Sequence, residues 1–372
     1  MKKFFTQLHL WLSLPFGIVI GIVCLTGALL LFEDEILEAR HPERYFIETS
    51  DAAPLASSAL IAKVQAQLPD SVHVTGLKRY GAPDRTVLCY LHGQKESIFV
   101  NPYTGDITGR DKRSTFFRNT VSLHRRLMHE VQKGETPWGK WIVGTATIGF
   151  VFILLSGLII WFPKQGHRLS RRLTVKTGKG AFRFWYDVHV AGGFYAVVFL
   201  LLMALTGLTW SFPWYRTPFY TLLGADPAEI AQPRKRSDSD QTFQPVDHSQ
   251  WDQVTEFLQQ RYPDYNTLTL EDGQATVQAT DYGNVYARDE YRFNPTDGKL
   301  TEVVLDADRT AYSRLRNWVY CVHTGSWGGL TTRLLYFAST VLGVIFCLTG
   351  YWFWWRKWRK RRNFGVVKIL KL

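Results

Sequence analysis

Long uncharged runs alternate with long polar segments along the chain. Each of the four uncharged runs is about 22 residues long and holds no Lys, Arg, Asp or Glu; they cover residues 10–32, 141–162, 190–212 and 334–355. At a rise of about 1.5 Å per residue, a helix of this length crosses a hydrocarbon core of about 30 Å. The pattern therefore predicts four membrane-spanning helices. The first run is too long for a signal-peptide core, so we expect it to be an uncleaved anchor.

The two polar segments, 33–140 and 213–333, each show first the period of a helix and then the alternation of strands. The first segment predicts a helix at 56–68 and strands at 72–80, 86–92 and 96–100. The second predicts a helix at 251–262 and strands at 265–270, 275–280 and 290–293. Each series is closed by an Asn-Pro turn, NPYTGD or NPTDG. Each segment is long enough for a small core, so we expect two separate α+β domains.

The distribution of charge predicts an orientation. Seventeen of the 44 Lys and Arg residues lie in the three short stretches 1–9, 163–188 and 356–372, which contain one acid, Asp187. Short loops rich in Lys and Arg stay in the cytoplasm. We therefore expect both termini and the basic loop to be cytoplasmic and both polar domains to lie outside. The net charge of +12 then reflects topology and contact with the inner leaflet, and it gives little support to nucleic-acid binding.

Repeated spacings indicate an internal duplication. One set of positions recurs 180 residues later: His9 and Thr26-Gly27 recur as His189 and Thr206-Gly207. A second set recurs 193 residues later: Asn101 and Ser156-Gly157 recur as Asn294 and Thr349-Gly350. We expect a unit of helix, outer domain and helix to be used twice, with the two copies related by a pseudo-twofold axis.

Each uncharged run has a histidine at one end. In the predicted topology His9 and His189 lie near the cytoplasmic face, and His124 and His323 lie near the outer face. Two imidazoles alone make a poor zinc site, which needs about four ligands, whereas a haem requires only two axial ligands from the protein. We expect one haem between His9 and His189 and another between His124 and His323. His129 remains an alternative to His124, and interfacial contact with lipid headgroups remains an alternative for His9 and His189.

The small residues at the ends of the runs fall at the levels of these pairs. Gly27 and Gly207 are expected at the outer level, and Gly157 and Gly350 at the inner level, where a porphyrin edge needs a residue without a bulky side chain. Ordinary packing of small residues between membrane helices explains the same glycines equally well. The other histidines with an expected place outside the membrane, namely His41, His73, His92, His167 and His248, are predicted to be solvent-exposed.

The cysteines and the missing motifs narrow the chemistry. No C-x-x-C-H sequence is present, so a haem here would be a non-covalent b-type haem. A disulfide between Cys89 and Cys321 stays open. No dinucleotide fingerprint, P-loop or hydrolase motif is present, so electrons would come from quinol or from a separate cytoplasmic reductase.

Four strings carry a resemblance to a known family. They begin at His9 (LHLWLSLPFGIVIGIVCLTGALLLF), at His124 (SLHRRL, then WGKWIVGTATIGFVFILLSGLIIWFPK), before His189 (FWYDVHVAGGFYAVVFLLLMALTGLTWSFPWY) and at His323 (VHTGSWGGLTTRLLYFASTVLGVIFCLTGYWFWW). Together with NPYTGDITGR, which resembles the end of a PepSY domain, they resemble the PepSY-associated transmembrane family over nearly the whole chain. His129 is not a clear part of that family's pattern.

The resemblance implies a protein of the bacterial inner membrane. The fold it implies is an integral membrane four-helix bundle of two pseudo-symmetric repeats with two periplasmic α+β PepSY-like domains. Some members of the family are haem-containing reductases of ferric siderophores, with His9, His189, His124 and His323 as the corresponding axial ligands of two haems.

We therefore expect an oxidoreductase that passes electrons to a ferric siderophore or another ferric chelate. Two alternatives remain: a quinol-linked haem subunit that serves a redox partner protein, and a cofactor-free membrane protein that binds or restrains peptidases. A set of residues predicted near the outer interface offers a docking surface, although an aromatic belt explains it equally well; it comprises Trp138, Trp210, Trp214, Tyr215, Arg216, Trp318 and Trp327.

Overall fold

A computed structural model describes residues 1–369 except 51, 95, 112–113, 133, 164–168, 233–245 and 280–282, and it describes only the backbone of 361–369. The described part of the chain contains twelve α-helices: α1 Lys2–Leu30, α2 Glu33–Arg40, α3 Pro42–Tyr45, α4 Ser57–Gln65, α5 Thr115–Arg126, α6 Trp138–Trp161, α7 Ala181–Ser211, α8 Pro213–Leu222, α9 Pro227–Ala231, α10 Trp251–Arg261, α11 Ala311–Thr324 and α12 Gly329–Ile369. Two compact units result. The helical unit comprises Met1–Leu31, Phe116–Phe219 and Val322–Leu372, and the sheet unit comprises Phe32–Thr115 and Tyr220–Cys321.

Four long helices form the bundle of the helical unit, in which α1 and α7 each pack against both α6 and α12. Close approach depends on small residues: a Cβ on Gly149 of α6 would lie 2.4 Å from the ring of Phe16 on α1. Tyr351 of α12 donates a hydrogen bond of 2.6 Å to the carbonyl oxygen of Leu14. The packing is therefore close on both sides of α1.

Within the described residues, four helical segments are long and apolar enough to cross a membrane: Lys2–Leu30, Trp138–Trp161, Ala181–Ser211 and Ser326–Lys360. This confirms the four predicted spanning helices. All four segments begin earlier in the chain than the uncharged runs do, because charged residues lie in the first turns of these helical segments. His9 and His189 consequently lie inside α1 and α7 and not at their ends.

The sheet unit contains one antiparallel sheet of eight strands: β1 Val74–Tyr80, β2 Val87–Leu91, β3 Ser97–Val100, β4 Ile107–Asp111, β5 Thr267–Glu271, β6 Gln274–Gln278, β7 Asp289–Phe293 and β8 Leu300–Val304. Their order across the sheet is β4-β3-β2-β1-β5-β6-β7-β8. The central pair β1 and β5 is antiparallel, with Leu77 opposite Leu270 and Arg79 opposite Leu268. From the centre of the sheet to its edge, each half therefore follows the order of the chain: β1-β2-β3-β4 in one half and β5-β6-β7-β8 in the other.

The two polar segments share one core, whereas the sequence predicted a core for each. Leu60 and Val64 of α4 are buried in the same cluster as Trp251 and Leu258 of α10, and Leu77 of β1 joins them. Pairing of β1 with β5 removes two exposed strand edges, each of which would present unpaired backbone groups. The pairing also joins the two half-sheets into one continuous apolar surface, and α4 and α10 both pack on it.

The predicted strands and helices of this unit agree with the structure to within a few residues, but β4 and β8 were missed. The Asn-Pro turns do not close each series; they lead into these edge strands. Asn101 Oδ1 accepts a hydrogen bond of 2.8 Å from the backbone N–H of Tyr103, and Asn294 Oδ1 accepts one of 2.9 Å from that of Thr296. Neither edge strand contains a buried residue, so both lack the alternation of buried and exposed positions that predicts a strand.

Candidate functional site

Two of the four candidate histidines lie on short helices that the hydrophobic pattern did not predict. His124 is in the last turn of α5, and His323 is in the last turn of α11. After α5 the chain turns through Leu127 and Met128, whose φ angles are +51° and +64°. After α11 it turns through Gly325 at φ +69°, the conformation that favours glycine at a helix end. Each turn directs the chain toward the following long helix.

The imidazole of His124 packs against α1. Its Nδ1 lies 3.0 Å from the carbonyl oxygen of Val23 and 3.1 Å from Oγ1 of Thr26. A Cβ on Gly27 would lie 3.3 Å from its Cε1. The glycine therefore allows the ring to reach the backbone of α1.

His323 repeats this arrangement on α7. Its Nδ1 lies 3.1 Å from the carbonyl oxygen of Met203 and 3.0 Å from Oγ1 of Thr206. A Cβ on Gly207 would lie 3.3 Å from its Cε1. Both outer histidines are thus held by a Thr-Gly pair and by the carbonyl four residues before the glycine.

His9 has the same kind of contact with α6. Its Nδ1 lies 3.0 Å from the carbonyl oxygen of Ile153 and 3.3 Å from Oγ of Ser156. A Cβ on Gly157 would lie 3.2 Å from its Cε1. The Ser-Gly pair of α6 has the role that a Thr-Gly pair has at the outer histidines.

His189 differs in one respect. Its Nδ1 lies 2.7 Å from Oγ1 of Thr349 on α12, but a Cβ on Gly350 would meet no described atom within 4 Å. At the other three positions the missing side chain of the glycine lets the imidazole ring approach the helix. Contact of these glycines with a porphyrin edge stays a prediction. Gly350 is the one of the four that leaves space beside the helix.

The hydrogen bonds assign the tautomer of the rings. A carbonyl oxygen only accepts, so Nδ1 of His9, His124 and His323 carries the proton. At His189 the Thr349 hydroxyl donates to the carbonyl oxygen of Ile345 at 2.7 Å, so it accepts from Nδ1. Nε2 then holds the lone pair in all four rings. This arrangement, with Nδ1–H fixed by a neighbouring acceptor, is typical of histidines that bind a metal.

The structure brings His124 and His323 together, with ring centroids 6.3 Å apart and ring planes inclined by 68°. Bond lengths of about 2.0 Å from a metal to each of two imidazole nitrogens, with each ring centre about 1.1 Å further out, give a separation of about 6.2 Å. The spacing therefore fits two axial ligands of one iron. His9 and His189 lie close enough to interact electrostatically. The sequence paired the same histidines, and the binding of a haem by each pair stays a prediction.

Among the described residues, three or more His, Cys, Asp or Glu side chains nowhere form a group that could hold a bare metal ion. The donors that do converge are the histidine pairs. Such pairs suit a cofactor that brings its own equatorial nitrogens, as a haem does.

Burial keeps the outer imidazoles neutral at physiological pH. It lowers the pKa of His124 to about 4 and that of His323 to about 3, and the neighbouring Arg125 and His124, respectively, lower them further. A neutral imidazole has a free lone pair and can bind a metal, whereas an imidazolium cannot.

His129 occupies a different position from His124. Its ring lies beyond the turn at Leu127 and Met128, and its Nδ1 is buried without a hydrogen-bond partner among the described residues. The geometry therefore places His124, and not His129, beside His323.

The expectation that the other histidines are solvent-exposed was wrong for four of them, which are each partly buried: His41, His73, His92 and His248. His167 lies outside the described residues.

A cluster of cations lies near His124. Lys140 of α6 interacts electrostatically with Arg125 of α5 and with Arg216 of α8. Nε of Arg216 is buried and has no hydrogen-bond partner in the described part of the chain. Arg125 directly follows His124 and interacts with it electrostatically. The three cations are therefore suited to an anionic group near that histidine, such as the propionates of a haem.

Two residues of the aromatic set pack against other rings. Trp210 packs edge-on against His323 with a centroid distance of 5.1 Å, and Trp214 stacks on Phe212 at 5.5 Å.

All four cysteines are free thiols, so Cys89 and Cys321 form no disulfide. Sγ of Cys321 lies 3.6 Å from Oδ1 of Asn284.

If His124 and His323 bind a haem, as the sequence predicts, replacing Thr206 with Val should weaken haem binding at that pair and leave binding at His9 and His189 unchanged. Valine has nearly the same shape but cannot accept the Nδ1 proton of His323, and losing such a supporting contact lowers metal affinity by about 10–100-fold. Titration of the haem-depleted chain with haem, followed by absorbance, measures this. The matched control is Thr209→Val on the same helix, whose buried hydroxyl donates to the carbonyl oxygen of Thr206, its one hydrogen-bond partner among the described residues. Equal affinities in the two variants would contradict the role of Thr206.

Comparison with known proteins concerns almost the whole chain. The family model described as "PepSY-associated TM region" matches residues 6–357. None of the curated proteins matches the chain.

Proposed function

Because the chain belongs to the PepSY-associated transmembrane family, we propose that it is a haem-containing membrane reductase. It would pass electrons from quinol or a cytoplasmic reductase to a ferric chelate, such as a ferric siderophore, on the other side of the membrane. The product would be Fe(II).

The observation that carries this proposal is the pair formed by His124 and His323. Their rings are 6.3 Å apart, and each has Nδ1 engaged by a carbonyl and a threonine hydroxyl. Bound between such pairs, two b-type haems would supply one-electron carriers at two levels of the bundle. His9 and His189 would hold the inner one.

Other residues of the helical unit suit the same purpose. Lys140, Arg125 and Arg216 would balance the negative propionates at the outer level. Ile20, Cys24, Ala146 and Ile153 form a buried apolar cluster in the bundle. A dry core of this kind keeps water away from the buried ligands and lowers the local dielectric constant.

The proposed orientation places both termini and residues 163–188 in the cytoplasm and the sheet unit in the periplasm. The basic stretches flank the spanning helices on one side, as the positive-inside rule requires. Arg356 lies over the ring of Phe182 at 4.6 Å, and the exposed side chains of Trp354, Trp355 and Trp358 lie within two residues of Arg356 on α12. Aromatic and basic side chains of this kind anchor helices at a membrane surface.

We also propose that the chain arose by duplication of a unit of helix, half-sheet and helix. The support is the repeated spacing in the sequence, the mirrored strand order and the His–Ser/Thr contacts that occur in both halves. A pseudo-twofold axis between the copies would relate the two histidines of each pair.

Reduction would release iron by changing its ligand preference. Siderophores bind Fe(III) through hard oxygen donors, and the softer Fe(II) is held less tightly by such donors. The protein would therefore need no residue that breaks a covalent bond.

The test uses the full chain, purified in detergent after expression with ample haem. We expect a Soret band and b-type α bands, and rapid reoxidation of the dithionite-reduced protein by a ferric chelate without oxygen, with one Fe(II) formed for each electron. The same chelate loaded with Ga(III), which is not reduced, is the matched control. A colourless protein would overturn the proposal in favour of a cofactor-free scaffold. A coloured protein that ferric chelates do not oxidise would instead indicate a subunit that serves a partner protein.

A further inference from the structure

The sheet unit contains a cavity of about 300 Å³ whose lining is rich in arginine. Its lining residues are Tyr286, Arg288, Arg309, Ser313, Arg316 and Asn317. Three of the six are cations, the other three offer neutral hydrogen-bonding groups, and no acid is among them. A lining of this composition favours an anion with several oxygen atoms.

Two parts of the chain form the walls of this cavity. Ser313, Arg316 and Asn317 are spaced three and four residues apart on α11, so they share one face of that helix. The opposite wall comes from the segment before β7 and from Arg309, which follows the 3₁₀ helix Asp306–Asp308. Nδ2 of Asn317 donates a hydrogen bond of 3.1 Å to the carbonyl oxygen of Tyr286 and ties the walls together.

The charges of the three arginines are not equally engaged. Arg309 pairs with Glu290 at 3.1 Å, and this carboxylate is 16% exposed. Arg288 forms no ion pair among the described residues, and it lies within electrostatic range of the like-charged Lys78. Asp306 also interacts electrostatically with Arg309. Acids therefore offset the charge of Arg309, whereas the guanidinium of Arg288 is paired with no carboxylate in the described part of the chain.

The shape of the guanidinium group narrows the ligand. Its planar set of donors matches a carboxylate or a phosphate in a two-pronged contact, which an ammonium group does not form. A volume of about 300 Å³ is at the lower end for small-molecule sites, so it suits compact polyanions. α11 also carries His323, seven residues after Arg316.

We propose that this cavity binds a polycarboxylate anion, and specifically the carboxylate arms of a ferric polycarboxylate chelate. This inference rests on the proposed function for the identity of the bound metal. Arg288 and Arg316 bind the carboxylates, and Arg309 is positioned by Glu290. Cationic or neutral chelates lack the groups that these arginines recognise.

The test measures binding of redox-inert Ga(III)–citrate to the full chain by calorimetry at low salt. We expect binding that weakens about tenfold with Arg316→Gln and again with Arg288→Gln, since each removes a charge-assisted contact. Arg314→Gln is the matched control, because Arg314 lies on α11 with an exposed side chain and does not line the cavity. A Ga(III) hydroxamate with a net positive charge should not respond to any of the three changes.

Further measurements identify the source of the carboxylate, and they separate this inference from the proposed function. Tighter binding of Ga(III)–citrate than of citrate or inorganic phosphate supports the chelate. Equal or tighter binding of phosphate, or no effect of Arg316→Gln and Arg288→Gln, overturns the proposal. Because gallium is not reduced, binding by a colourless protein would reject the reductase and keep the cavity. If a haem protein that ferric chelates still oxidise does not bind Ga(III)–citrate, the result would keep the reductase and reject the anion site in the cavity.

Discussion

His323→Ala is expected to halve the haem content of the purified protein, from two haems per chain to one. The substitution removes one of the two imidazoles that lie 6.3 Å apart, and the remaining His124 cannot hold a six-coordinate iron alone. His9 and His189 lie on α1 and α7, and their Nδ1 contacts are with α6 and α12. That pair should therefore keep its haem. The pyridine haemochrome assay gives the stoichiometry, and low-temperature electron paramagnetic resonance should lose one of two low-spin signals.

The control for this experiment is His129→Ala, which removes the competing histidine of the same segment. We expect it to retain two haems and both signals, because the ring of His129 does not lie beside His323. His124→Ala should reproduce the loss seen with His323→Ala, and combining the two should cost no further haem. Retention of two haems in His323→Ala, or loss of one in His129→Ala, would show that the histidines are paired differently.

Trp251→Ala is expected to destabilise both halves of the sheet unit together. Trp251 of α10 is 0% exposed and belongs to a core that includes Leu60, Val64 and Leu77 from the first half. Truncation of a buried tryptophan costs about 3–5 kcal/mol of unfolding free energy. Native-state hydrogen exchange should show the loss in β1 and β2 as well as in β5 and β6.

Phe257→Ala is the matched control, because Phe257 lies on the same helix and is 41% exposed. We expect a cost of about 1 kcal/mol or less, since a side chain that is 41% exposed loses much less buried contact than the fully buried Trp251 does. If β1 and β2 keep their protection in Trp251→Ala while β5 and β6 lose theirs, the two halves unfold separately and the shared core does not couple them.

The spanning helices were predictable from sequence because a bilayer imposes a length and an apolar composition on any helix that crosses it. The relation between the histidines and the Ser/Thr-Gly pairs was also predictable as a spacing, since Thr26-Gly27 and Thr206-Gly207 stand at equal distances from His9 and His189. The partner of each Ser/Thr-Gly pair was not predictable from that spacing. Whether Thr26 faces His124 depends on the rotation of α1 against α5, and residue spacing in the sequence does not determine that rotation.

The single sheet was out of reach for a related reason. A strand at the edge of a small sheet and a strand at the centre of a larger one show the same alternation, so β1 and β5 carry no mark of their pairing. The edge strands β4 and β8 were missed because neither contains a buried residue, so neither shows a buried–exposed alternation. The helices α5 and α11 were missed because the long polar segments were assigned to folded domains up to their ends.

Among the described residues, the acceptors that hold Nδ1 of the four histidines are backbone carbonyls and a hydroxyl, and none is a carboxylate. Neutral acceptors of this kind do not take up the Nδ1 proton, so these imidazoles would keep their protons if an iron bound at Nε2 changed its oxidation state. For the proposed reductase, outward electron flow would then be electrogenic without proton uptake. A membrane voltage that is negative inside would favour it by about 2.3 kcal/mol per 100 mV for each electron that crosses the full voltage.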